Sequence, residues 1–190
     1  MPPASRAFVV RHGNTFARGE APRRIGAGTD LPLVESGRDQ ALALRTHFEG
    51  RGIRFDRVLA SPLLRTRETA ALIAPDLAAE PTAWLREIDH GPDEGRTEAE
   101  VLARIGAAAL ERWEAEAVPP PGWMVDAEAR LAAWRGFLGA FPTGNTLLVT
   151  SNGAARFLRL ALGLAPAKLR TGAHAEVDET GLLVCWDVRP

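Results

Sequence analysis

The sequence predicts a three-layer α/β/α sandwich around a mostly parallel central sheet, with residues 1–190 forming one domain. Two observations carry this reading. Strand-like and helix-like segments alternate along the chain, the pattern of layered α/β domains. Three short apolar runs also end abruptly in small polar residues, and in a parallel sheet such ends converge on the edge where open α/β folds bind ligands. Size agrees: 190 residues, 46% hydrophobic and 25% charged, is a soluble globular composition with enough chain for a real core.

Taken in order, Ala7-Phe8-Val9-Val10 is a buried-strand run that leads straight into Arg11-His12-Gly13-Asn14-Thr15. A loop with glycines and arginines follows through Asp30. Ser36 is placed to cap a helix to about residue 52, with Ala41, Leu44 and Phe48 at helical spacing. Residues 57–60 form the next strand. Ser61-Pro62 then starts a helix, serine at the cap and proline in the first turn. Ala83-Trp84-Leu85 is a third strand candidate, and residues 98–117 read as one helix. Three prolines at 119–121 stop it and make a loop inside the domain. Residues 126–140 are helical, 145–150 form a buried strand into Ser151-Asn152-Gly153, and a helix runs over 154–162. Strands at 174–177 and 182–188 close as a hairpin around Asp178-Glu179-Thr180-Gly181. No internal repeat or low-complexity segment is present.

Composition excludes several classes. Net charge is -1 with no basic block, so nucleic acid is not an indicated partner, and any attraction for an anion must be local. No apolar run has membrane-span length, and residues 1–6 lack the apolar core of a signal peptide. The single cysteine, Cys185, has no internal disulfide partner and reads as a buried strand residue. A cytoplasmic location is expected, and the sequence carries no signal for oligomeric state.

The strand-end residues suggest phosphate chemistry. An imidazole at His12 is a nucleophile for phosphorus, and the Arg11 guanidinium is matched to phosphoryl oxygens. Arg65 lies a turn beyond the second strand, and Ser151-Asn152 ends the third. Helix N-termini at these last two places would add amides and partial positive charge. Each residue alone has a plainer reading: a loop histidine with a structural bond, a solvated helix arginine, and, at Glu87, an exposed loop carboxylate. Asp89, His90, Asp93 and Glu94 fit no zinc spacing, Gly26-Ala27-Gly28 is too short for a nucleotide loop, and His47 reads as structural or exposed. The five tryptophans share no basic patch and read as core, with Trp123 the one placed to line a substrate entrance.

Five segments in order resemble the histidine phosphatase superfamily, in its phosphoglycerate-mutase-like branch. They are Val10 to Thr15; Thr29-Asp30-Leu31-Pro32-Leu33 with Gly37 and Gln40-Ala41; Ser61-Pro62-Leu63-Leu64-Arg65 with Thr69-Ala70; Leu85 to Gly91 with Glu94-Gly95; and Leu148 to Gly153. By matched position the resemblance implies that His12 is the nucleophile that becomes a phosphohistidine. It implies that Arg11 and Arg65 clamp the phosphoryl group, Thr15 contacts it, and Glu87 is the proton donor to the leaving oxygen. No cofactor or metal is implied, because arginines neutralise the phosphate.

The sequence departs from the family at Asn152, where relatives usually carry a second histidine. An amide donates a neutral hydrogen bond where an imidazolium donates a charged one, a difference of about 1–2 kcal/mol, or about 5- to 30-fold in rate. Gly153 opens the next helix toward the anion. Arg156 one turn later and His174 are candidates to restore the charge, against their plainer readings as a surface arginine and a strand histidine. Arg18 and Gly122-Trp123-Met124 also depart, and bear on substrate identity. The expected function is a phosphomonoester hydrolase acting on a small phosphorylated metabolite. The rivals are a phosphoglycerate-mutase-type phosphoryl transfer and a phospho-ligand binding protein that lost turnover with Asn152.

Overall fold

A computed structural model describes residues 5–190. Residues 1–4, most of the segment read above for a leader, lie outside the described residues. The elements are β1 (Arg6–Arg11), α1 (Glu35–Gly50), β2 (Arg57–Ala60), α2 (Leu64–Ile73), β3 (Glu80–Pro81), α3 (Glu98–Ile105), α4 (Ala107–Glu116), α5 (Ala127–Gly139), β4 (Asn145–Thr150), α6 (Asn152–Ala161), β5 (His174–Asp178) and β6 (Leu183–Val188). They build one sheet of order β3-β2-β4-β1-β5-β6. The β1, β2, β3 and β4 strands run parallel, β5 runs antiparallel to β1, and β6 runs antiparallel to β5.

The alternation of side chains along the strands makes the three layers. Phe8, Val10, Val58, Ala60, Leu147 and Val149 face α1 and α2, where Ala41, Leu44, Phe48, Ala70 and Ile73 bury against them. Ala7, Val9, Leu59, Leu148, Ala175 and Val177 face the other way, onto Trp113, Trp134, Phe157 and Leu158 from α4, α5 and α6. No helix among the described residues is long and apolar enough to cross a membrane.

Parallel register sets the site. Arg11 pairs with Thr150 and Ala60 with Val149, so β1, β2 and β4 end level with one another. His12 N–H donates to Thr150 O at 3.1 Å and Ser61 N–H to Val149 O at 3.0 Å. His12, Ser61 and Ser151 therefore leave the same edge of the sheet.

Several local expectations change. Residues 83–85 form a 3-10 turn, with Leu85 N–H donating to Thr82 O, and the strand lies earlier, at β3. The single helix over 98–117 is two, because Gly106 takes a φ of 78° that only glycine adopts freely. Ser36 caps no helix: Val34 is the N-cap of α1, and Ser36 Oγ accepts from Asn14 Nδ2. Ser61 Oγ accepts from Leu63 N–H one turn early, so α2 starts at Leu64. Cys185 lies half-buried on β6.

Candidate active site

The loop after β1 is pinned from several sides. Gly13 packs against the backbone of Gly37, and a Cβ at either would overlap the other strand of chain, which is why both are glycine. Gly13 N–H donates to Thr69 Oγ1, which itself donates to Arg65 O. Asn14 N–H donates to Gln40 Oε1, and Asn14 Oδ1 accepts from Thr171 Oγ1. These bonds fix the His12 ring from α1, α2 and the 163–173 loop at once.

His12 Nδ1 lies 2.7 Å from Gly13 O. A carbonyl only accepts, so Nδ1 carries the proton and Nε2 keeps its lone pair. Burial, then the charges of Arg65 and Arg11, push the imidazole pKa well below its ordinary value. The ring is a neutral base at neutral pH.

Arg11 is anchored by Nη1 donating to Leu169 O at 2.8 Å, and its pKa falls to about 10, burial being the main cause. Arg65 is fully buried, and its charge acts on His12. Its Nη1 and Nη2 donate to Thr29 O and Gly26 O, and its Nε is buried without a partner. The 26–30 loop is thereby wrapped onto the arginine.

Glu87 sits on the N-terminus of α6. Oε2 accepts from Gly153 N–H at 3.1 Å, and Oε1 from Ala154 N–H at 3.1 Å and Ile88 N–H at 2.9 Å. Burial by itself would raise this carboxyl. The charge of His90, the amides of Ile88 and Gly153, and Arg65 outweigh it and hold the pKa below the ordinary value. Gly153 leaves room for the carboxylate, since a Cβ there would overlap Glu87 Oε1.

A cavity of about 810 Å³ opens over this group. Its walls include Arg11, His12, Thr15, Arg18, Glu87, His90, Trp113, Asn152 and Gly153. The structure therefore brings together Arg11, His12, Thr15, Glu87 and Asn152 around one space, while Arg65 is buried outside its lining and acts on His12 and Glu87 through its charge. Asn152 Oδ1 accepts from Leu169 N–H at 2.9 Å, leaving its NH2 as the free donor.

Four sequence expectations are corrected by this geometry. The helix N-termini do not await an anion: Leu64 N–H goes to Asp30 Oδ1 and Gly153 N–H to Glu87, so Gly153 offers its amide to the protein's own carboxylate. Arg156 lines no part of the cavity. Its guanidinium donates to Trp113 O at 2.6 Å, pairs with Glu114 and stacks 4.1 Å over the Trp113 ring, behind the wall. His174 faces the opposite layer: it pairs with Val10, whose side chain points to α1, and its ring lies 5.1 Å from Phe48 and 5.2 Å from His47. Trp113 lines the cavity, whereas Trp123 is buried beneath it, with its Nε1 donating to Asp93.

Two residues had no assigned part. Arg130 donates to Val125 O, Arg86 O and Glu87 O, and so fixes the backbone that carries Glu87. Nothing in its helical surroundings marks it in the sequence. His90 lines the cavity and bears on Glu87; its signal was a histidine three residues after a matched carboxylate. The neighbouring acids are otherwise committed, Asp93 to Arg104 and Trp123, and Glu94 to Gly26 N–H and Thr29.

Comparison with known proteins shows the family and the fold. Residues 7–184 match the model of the histidine phosphatase superfamily (branch 1). A broad-specificity phosphatase of Saccharomyces cerevisiae is 36% identical over 105 residues, 52% of this chain and 45% of that protein. The "probable phosphoglycerate mutase GpmB" of Citrobacter koseri is 38% identical over 91 residues, 47% of this chain and 40% of that protein. The matched regions thus span under half the length of these curated relatives. The mycobacterial glucosyl-3-phosphoglycerate phosphatase superposes with a TM-score of 0.79 over 97% of this chain and 99% of that one, and at 23% identity this shows the fold alone. Matched across nearly its whole length, the chain belongs to branch 1 of the histidine phosphatase superfamily.

Proposed function

We propose that the chain is a phosphomonoester hydrolase acting on small phosphorylated metabolites through a phosphohistidine on His12. One observation carries this: the His12 imidazole is held neutral, Nδ1 protonated against Gly13 O, in a cavity that Arg11 also lines. Its Nε2 lone pair attacks phosphorus as the ester oxygen departs. Arg11 and Arg65 offset the charge of the phosphoryl oxygens as the group crosses, with their own donors preorganised by carbonyls. Thr15 and the Asn152 NH2 are further donors to those oxygens. Glu87 serves the proton steps: as carboxylate it takes the proton of the hydrolytic water, and once protonated it delivers one to the leaving oxygen. The phosphatase and mutase names of the relatives fit phosphoryl chemistry of this kind.

The test is steady-state phosphate release from aryl and alkyl phosphates, with trapping of an acid-labile phosphoenzyme. The wild type should turn over and His12→Ala should lose both turnover and the trapped species. Phosphate binding without turnover in the wild type would identify a binding protein. Transfer between phosphoglycerate hydroxyls, dependent on a bisphosphate primer and faster than phosphate release, would identify a mutase.

A further inference from the structure

We propose that His90 is a catalytic residue of this site, a second imidazole that shares with Glu87 the proton delivered to the leaving oxygen. The inference rests on the phosphohistidine reading above and deepens it.

The need comes from Glu87. Three amides converge on its two oxygens, and each favours the carboxylate. At rest this group lacks the proton that an alkoxide leaving group requires.

The supply comes from His90. It lines the same cavity as His12 and Glu87, yet is only 6% exposed. Its Nδ1 is buried with no hydrogen-bond partner, the nearest carboxylate oxygen being Glu94 Oε1 at 3.9 Å. Among the described residues no hydrogen bond engages either ring nitrogen, so the imidazole on this cavity wall is an uncommitted proton carrier. The ring is held edge-on to Trp123, with centroids 4.5 Å apart, while Trp123 is anchored through Asp93. This holds the imidazole in place without occupying its nitrogens.

The charged groups around it are Glu87, Glu94 and Asp93, which favour the imidazolium, and Arg24, which opposes it. Burial is the largest influence and lowers the His90 pKa, while Glu87 is the strongest of the charges that raise it. Conversely, His90 is the largest charge acting on Glu87. Each therefore biases the protonation of the other across the cavity wall that both line.

The balance closes with one proton that Glu87 and His90 take up from solvent as the dianionic ester binds, because its negative charge favours the protonated form of each. The His12 Nε2 lone pair forms the N–P bond and the ester P–O bond breaks. Its electrons go to the leaving oxygen, which takes the proton of the pair. Water then attacks phosphorus, the P–N bond breaks with its electrons returning to Nε2, and the water proton returns to the pair.

The test compares kcat/KM for glycerol phosphate and p-nitrophenyl phosphate across pH, because this parameter reports the phosphorylation half and only the alkoxide needs a proton. His90→Gln is expected to lose about tenfold to hundredfold more on the alkyl than on the aryl ester, below the roughly 100- to 10,000-fold of a whole general acid because Glu87 remains. The pH above which the alkyl rate falls is expected to move down, since Glu87 alone gives up its proton earlier than the pair. His90→Phe, which keeps the edge-on ring beside Trp123, should behave likewise and carries the test if the glutamine variant does not fold. Equal losses on both esters, or an unmoved pH profile, would overturn the proposal. His12→Ala in the same assays separates the two readings. If it retains turnover, the phosphohistidine mechanism fails; if it is inactive while the His90 variants match the wild type, only the role of His90 fails.

Discussion

Asn152 carries its amide oxygen to Leu169 N–H, so its contribution to an anion is one neutral N–H donor. Neither cation expected to compensate is in reach, Arg156 being spent on Trp113 and His174 on the far layer. An imidazole at 152 is therefore not redundant with either. As an imidazolium it donates toward the cavity with charge assistance, and it gives up the acceptor that Asn152 offers Leu169 N–H. Asn152→His is expected to raise the rate of phosphoenzyme formation by about 5- to 30-fold, the worth of a charged over a neutral hydrogen bond. Stopped-flow phosphorylation of the two proteins measures it. An unchanged rate would mean that Asn152 serves only to hold the 163–173 loop through Leu169.

At the scale of elements, the first turn of α6 is where the site is assembled, and it is organised around an internal anion. Two of its amides face Glu87, which is possible because position 153 has no Cβ. Gly153→Ala should displace the carboxylate, leave buried amides unpaired and cost about 1–3 kcal/mol of stability, with at least about a tenfold loss of kcat/KM. Denaturant unfolding and steady-state assays check the two arms, and a wild-type kcat/KM in a folded variant would remove Glu87 from the proton steps. This arrangement also explains what could be read from sequence. Elements defined by local pattern, such as β2, β4 and α5, are legible because apolar period and flanking turn residues are both local. The Arg11-His12 and Ser151-Asn152 strand ends were legible for the same reason. Gly106 was not, because a lone glycine inside a helical pattern is tolerated, and nothing local to it announces the φ of 78° that separates α3 from α4. Arg156 and His174 were misplaced because sequence gives distance along the chain, not which face of α6 or β5 a side chain leaves. The capture of Gly153 N–H by Glu87 joins residues 66 apart and has no local signature.

Over the whole molecule, folding buries bases that prefer water, two of them at the site and one on the far layer. His12, His90 and His174 are three of the four histidines, and burial is the first cause of the lowered pKa in each. His174 falls to about 4, with His47 and Arg51 adding to the effect of burial and Glu176 opposing it. In the unfolded chain all three titrate near 6.5. Below that pH the unfolded state binds more protons than the folded state, so stability rises with pH and is lost on acidification from about pH 6.5 downward, for His174 until about pH 4. The depressed carboxyl of Glu87 acts in the same direction, because its stabilisation is present above the ordinary carboxylate pKa and lost below it. Urea unfolding at a series of pH values should therefore show a positive slope of up to about 4 kcal/mol per pH unit, the limit for three protons, between pH 5 and 6.5. His174→Phe, which keeps a ring against Phe48 and His47, should remove up to about 3 kcal/mol of that acid loss without touching the cavity. A flat or negative slope in the wild type would mean that the folded protein takes up these protons as readily as the unfolded chain. The same cost argues for why these bases persist: an imidazole kept neutral by burial at residue 12 is a nucleophile at neutral pH, and the instability toward acid comes with the reactivity.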